Sequence, residues 1–171
     1  MLQHPAEQHH AKGTVRLLEL SLSQCQRRVG EQFDALQLGA WLTRGTALLY
    51  PVSAGATPNP PRAETAVPLN RLVVLDGTWR QSRQLLHLNP GLLTLPRFAL
   101  ASPQPGQYRI RKSQSGLQRS TLEATCLALG ELEARPAHYA PLLLAFEGWV
   151  DALQSQQRWG SGPAGPHGGA A

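Results

Sequence analysis

Residues 71–79 read RLVVLDGTW, and residues 80–91 continue as RQSRQLLHLNPG. Positions 72–75 form an unbroken apolar run rich in β-branched side chains, the pattern of a strand covered on both faces, as in a parallel sheet. The run stops at Asp76. Gly77 permits a tight turn, Thr78 has the chemistry of an N-cap, and Arg80 to Leu88 follows as a helix ended by Asn89-Pro90-Gly91. Strand, polar loop and helix in this order predict an α/β fold. In open sheets of that class ligands bind beyond the carboxyl ends of the strands, where Asp76 stands.

Charge distribution sets Asp76 apart. Between Thr65 and Leu122 it is the only acidic residue, against Arg71, Arg80, Arg83, Arg97, Arg109, Arg111, Lys112 and Arg119. One reading makes it a turn-capping aspartate. The other makes it a single carboxylate in a basic pocket that receives a polyanion.

A chain of 171 residues with 42% hydrophobic content suits one domain with a sizeable core and excludes wholesale disorder. The net charge of +5 and pI near 9.9 favour an anionic partner, nucleic acid ahead of a membrane surface. No apolar segment approaches the roughly 18 residues needed to span a bilayer. The opening MLQHPAEQHH lacks the apolar core of a signal peptide, so a cytoplasmic location is expected. Cys25 and Cys126 are isolated and read as buried free thiols. They cannot supply a four-thiolate zinc site, and His4, His9 and His10 have only Glu7 nearby, so no metal site is expected.

Elsewhere, residues 13–22 have Leu17, Leu18 and Leu22 at helical spacing with Thr14 as a cap. Residues 26–29 and 46–50 read as short strands. The proline-rich stretch 51–68 reads as a surface loop, and 92–100, interrupted by Pro96, reads as an extended or edge segment. In YRIRK, residues 108–112, alternation places Arg109 and Arg111 on one face of a strand. Ser120-Thr121-Leu122-Glu123 has the form of a capping box opening a helix to about Ala134, with Leu122, Cys126, Leu129 and Leu132 inward. A last helix is expected from Pro141 to about Trp159, burying Leu144, Phe146, Trp149, Val150 and Leu153. Residues 160–171 are expected to form a disordered tail.

Four stretches together, LQHPAEQ with GTVRLLELSL, LVVLDGTWRQSRQLLHLNPGLLTLPR, YRIRK and STLEA, resemble the DTW-domain family and recur in its order across most of residues 2–151. The resemblance implies a DTW domain over residues 1–159 and a SPOUT-like α/β sheet flanked by helices, with a trefoil knot. It implies transfer of the 3-amino-3-carboxypropyl group of S-adenosylmethionine to N3 of a uridine in tRNA, with methylthioadenosine as by-product. No membrane and no obligate protein partner are implied.

On this resemblance the site motif is Asp76, Gly77, Thr78 and Trp79. Asp76 is the catalytic candidate, taking the N3 proton, accepting a hydrogen bond from N3–H or orienting the cofactor. Thr78, Trp79, Ser120 and Thr121 are candidates for the cofactor, with Trp79 stacking on adenine or uracil or else packing in the core. Arg80, Arg83, Arg109, Arg111 and Lys112 are candidates for tRNA phosphates, and the last three also for the methionine carboxylate.

Members of the family commonly begin with a cysteine-rich zinc segment and a first strand leading into Leu-Gln-His-Pro, whereas this sequence opens at Met1-Leu2-Gln3. Without zinc ligands or most of that strand, a less stable sheet and fewer tRNA contacts are expected. Ser82 and Arg119 stand where an alanine and an apolar residue are usual. Two other classes compete: a non-catalytic RNA-binding remnant, and an RNA methyltransferase using the same cofactor on the same fold. A phosphate-hydrolysing enzyme ranks last, because there is neither a GxxxxGK[ST] loop nor a carboxylate cluster.

Overall fold

The computed structural model describes residues 1–8, 14–52, 68–100 and 119–160. Strands β1 (Leu2–Gln3), β2 (Arg28–Val29), β3 (Thr46–Leu49), β4 (Arg71–Asp76) and β5 (Arg97–Phe98) form one parallel sheet in the order β2-β1-β4-β3-β5. The apolar run is therefore the middle strand. β3 pairs with its first part, Thr46 opposite Arg71 through Leu49 opposite Val74. β1 pairs with its end, Leu2 opposite Leu75 and Gln3 opposite Asp76.

Helices α1 (Thr14–Ser21), α2 (Ala35–Gly39), α3 (Trp79–Leu88), α4 (Thr121–Leu132) and α5 (Pro136–Gly160) cover the sheet, with single 3-10 segments at Pro5–Glu7 and Pro90–Thr94. Alternate residues of a strand point to opposite faces. Val73 and Leu75 join Leu2, Leu48, Phe33, Leu38, Leu85 and Leu92 in a core beneath α2 and α3. A second core holds Leu18, Leu122, Cys126, Tyr139, Leu143 and Phe146, where α1, α4 and α5 meet. This double covering is what a near-continuous apolar strand requires.

Asn89 ends α3 for a reason beyond the proline after it. Its side chain, 1% exposed, accepts from the Phe33 amide at 2.8 Å and donates to the carbonyls of Glu31 and Leu85 at 2.8 and 2.7 Å. The helix stop thus also anchors the segment entering α2.

Several expectations change. The last helix begins at Pro136, and Pro141 lies inside it. Among the described residues its buried ones are Tyr139, Leu143 and Phe146, spaced four and three apart; Trp149 and Val150 pack against the same core as expected, while that register turns Leu144 outward to 67% exposure. Thr14 is a helical residue of α1 rather than its cap. Residues 92–94 belong to a 3-10 turn opened by Pro90, so extension begins only at the edge strand β5. The 3-10 turn at Pro5, β1 and α2, capped by Asp34, were not foreseen. The YRIRK strand, most of the proline-rich loop and all but Gly160 of the tail lie outside the described residues.

Candidate functional site

A cleft of about 710 Å³ opens at the carboxyl ends of β3, β4 and β5. Its walls are Leu49 and Tyr50 after β3, Leu75 and Gly77 at the end of β4, and Phe98 to Leu100 after β5. The first turns of α3 and α4 complete it through Thr78, Trp79, Arg80 and Ser82, and through Ser120, Thr121 and Ala124. A larger hollow, about 1020 Å³, lies along the first part of β4, lined by Met1, Arg28, Arg71, Val73 and Tyr139 among others. Neither the α3 nor the α4 amino terminus opens onto it. The smaller cleft, at the strand ends, is the candidate site.

Both helix starts facing the cleft are capped in the same way. Thr78 Oγ1 accepts from the Gln81 amide at 3.3 Å, and Gln81 Oε1 accepts from the Thr78 amide at 2.5 Å. Ser120 Oγ accepts from the Glu123 amide at 3.2 Å, and Glu123 Oε2 accepts from the Ser120 amide at 2.7 Å and from its hydroxyl at 2.7 Å. The capping boxes satisfy some of the free amides, while both macrodipoles still present positive ends to one cleft. Arg80 and Arg119 add cationic charge there. Such a place favours a carboxylate or phosphate.

Trp79 is 49% exposed, which removes the core reading. Its ring stands edge-on to Tyr50, with centroids 5.8 Å apart and planes at 81°. Behind Tyr50 lies Arg97, its guanidinium 4.9 Å from the ring centroid and its side chain 6% exposed. Burial pulls the Arg97 guanidinium below its ordinary value, opposed by the charge of Tyr50. Arg97 Nη1 is buried and, among the described residues, has no hydrogen-bond partner. The aromatic corner is suited to a flat heterocycle.

Asp76 is buried, 7% exposed, and does not itself line this cleft, although its chain neighbours Leu75 and Gly77 do. Its Oδ2 accepts from Gln3 Nε2 at 2.8 Å, and its carbonyl accepts from the His4 amide at 3.0 Å. Among the described residues no arginine pairs with it; the polar neighbour is a neutral amide. His4 Nδ1 accepts from the Ala6 amide at 3.2 Å. Its Nε2 lies 3.1 Å from Glu31 Oε1 but outside hydrogen-bond geometry.

The structure thus brings together Gly77, Thr78, Trp79, Arg80, Ser120 and Thr121, with Asp76 beside them. Arg83 is exposed on α3 and does not line the cleft. Arg109, Arg111 and Lys112 lie outside the described residues. Gln3, Tyr50 and Arg97 were missed as site residues. Tyr50 follows the short strand β3 and Arg97 opens the two-residue β5, and the LQH opening carries no periodicity that would mark a strand. Among the described residues no three His, Cys, Asp or Glu side chains cluster as a metal site would require. No described helix is long and apolar enough to cross a membrane.

A doubly covered parallel sheet with an aromatic, cationic cleft at its carboxyl edge defines an α/β protein. The profile of the DTW domain matches residues 1–154, and the chain belongs to the DTW-domain family. It is 34% identical over 143 residues to tRNA-uridine aminocarboxypropyltransferase 2 of Drosophila melanogaster, covering 80% of this chain and 56% of that protein. To the proteins of the same name from Macaca fascicularis and Mus musculus it is 30% identical over 139 and 140 residues, covering 78% of this chain and 47% of each. The chain therefore spans about half the length of these relatives. No solved structure matches it.

Proposed function

We propose that this chain is a transferase that modifies tRNA, moving the 3-amino-3-carboxypropyl group of S-adenosylmethionine to N3 of a uridine. The observation that carries the reading is the convergence of two capped helix starts, Trp79 and two arginines on one cleft next to Asp76, in a chain similar to proteins named tRNA-uridine aminocarboxypropyltransferase 2. The residues suit such a donor: a carboxylate matches the helix starts with Arg80 or Arg119, and adenine matches the Trp79–Tyr50 corner. Family membership and the parallel sheet also support a knotted SPOUT-type arrangement, and a tRNA substrate fits a cytoplasmic site of action.

Bound S-adenosylmethionine supplies an electrophilic carbon at its sulfonium; as N3–C forms, C–S breaks, its electron pair stays on sulfur and methylthioadenosine leaves. The chain has two tasks. The helix starts hold the carboxypropyl arm so that its first carbon, not the methyl, faces the nucleophile. Asp76 takes the N3 proton, which passes to water after transfer. Arg80 and Arg83, with Arg109, Arg111 and Lys112, hold tRNA phosphates.

The test incubates the protein with unmodified tRNA transcripts and donor labelled in the carboxypropyl carbons, followed by nucleoside mass spectrometry. Aminocarboxypropyl-uridine with methylthioadenosine is expected. S-adenosylhomocysteine with a methylated base would make the chain a methyltransferase. Binding of tRNA without any product would make it an RNA-binding remnant.

A further inference from the structure

We propose that Gln3 is the positioning residue of Asp76, and that Arg27 and Glu19 set its orientation; the role rests on the transfer reading above. Gln3 and Asp76 are register partners at the ends of adjacent strands, and Gln3 is 3% exposed. Gln3 Nε2 donates to Asp76 Oδ2 at 2.8 Å, while Gln3 Oε1 accepts from Arg27 Nη1 at 3.2 Å. Arg27 Nε in turn stands 3.2 Å from Glu19 Oε2. A polar chain thus runs from α1 to the strand end.

Its polarity admits one arrangement. A guanidinium only donates and an ionised carboxylate only accepts, so the amide between them turns its oxygen to Arg27 and its NH₂ to Asp76. Two consequences follow for the carboxylate. Oδ2 is occupied, whereas Oδ1 has no hydrogen bond among the described residues. Oδ1 is therefore the oxygen offered to the uridine N3–H. The donor that fixes it is also a neutral amide, so the contact that orients Asp76 here is a hydrogen bond and not an ion pair.

The experiment compares the wild-type protein with Gln3→Met, Arg27→Met and the double variant, measuring kcat, KM for donor and tRNA, and the folded fraction by thermal unfolding. Gln3→Met keeps the side-chain length and loses the donor. It is expected to lower kcat about tenfold or more with both KM values within about twofold. Arg27→Met, on a half-buried residue, is expected to lower kcat by a smaller factor in the same direction. In the Gln3→Met background it should add nothing, because the two act through one contact. A purely structural role predicts otherwise: activity would fall only in step with the folded fraction, and the two losses would multiply. Either result, or an unchanged kcat in Gln3→Met and Arg27→Met, overturns the role while leaving the transfer reading intact. A wild-type protein that transfers nothing overturns that reading and this role with it.

Discussion

The guanidinium of Arg97 lies over the ring of Tyr50, 4.9 Å from its centroid, and is almost wholly buried. A buried cation with one nitrogen unpartnered among the described residues is costly, and the ring face offsets part of that cost. Arg97→Met removes the charge along with the contact, so Tm is expected to stay level or rise. Tyr50→Ala leaves the charge without its ring and should cost about 2–3 kcal/mol in urea unfolding. If Tyr50 positions Trp79, both variants also weaken binding of methylthioadenosine, read by calorimetry.

Gly77 sits where a side chain would collide with the α3 cap. A Cβ there would stand 3.0 Å from both Cβ and Oε1 of Gln81, the residue that accepts from the Thr78 amide. Gly77→Ala is expected to displace Gln81 and cost about 1 kcal/mol, the usual worth of a lost cap. Chemical denaturation of a double-mutant cycle checks the cause. In a Gln81→Ala background the cap and the Oε1 contact are gone while the Cβ contact remains, so the same substitution should cost less there but not nothing.

Ala134, in the turn between α4 and α5, has φ of 52°, the left-handed region that side chains disfavour. It follows the α4 C-cap, the place glycine fills best. Ala134→Gly is expected to stabilise the protein by up to about 1 kcal/mol, seen as a higher urea midpoint at unchanged slope.

Alkaline pH should weaken the fold through two groups where α4 meets α5. Burial, then the charge of Glu123, push the Cys126 thiol up to about 11 from 9.0. Burial, then the hydrogen bond and charge of Glu133, push the Tyr139 phenol up to about 12 from 10.0. Both are raised in the folded state, so the unfolded chain loses its protons first. Their stabilising contribution is complete below pH 9 and is lost as pH rises from 9 to 11 for the thiol and from 10 to 12 for the phenol. Each mismatched group carries a slope of about 1.4 kcal/mol per pH unit at most. Urea unfolding at a series of pH values should show the decline, and Cys126→Ala should flatten its first part.

The parts of the fold legible in the sequence were those whose signals are local. The apolar run before Asp76, the Thr78 cap and the Ser120-to-Glu123 box are complete within a few residues, and β4, α3 and α4 follow them. β1 has two residues and no periodicity, and it exists because Leu75 and Asp76 pair with it across the chain. Of the inward face read for α5, Phe146, Trp149 and Val150 do pack on the core; Leu144 does not, and Tyr139 and Leu143 were missed, because an apolar-rich helix has no unique stripe until α4 selects one. At the site the same division holds. Asp76 stood out by charge and Trp79 by motif, but the Gln3 amide and the Tyr50–Arg97 stack arise from contacts between distant strands.

The pairing of β1 with β4 also bears on how the molecule acquires its shape. The Gln3–Asp76 bond joins residues 73 apart in sequence, whereas β3 meets β4, and α3 packs on β4, over much shorter loops. Closing the longer loop costs more entropy and is rewarded by a strand of only two residues. The first residues are thus expected to dock last and to fray first. The amide of His4, bonded to the Asp76 carbonyl, should exchange with deuterium well before those in the middle of β4. The carboxylate of the site would then lie at the end of a strand pair that is completed late and opens early.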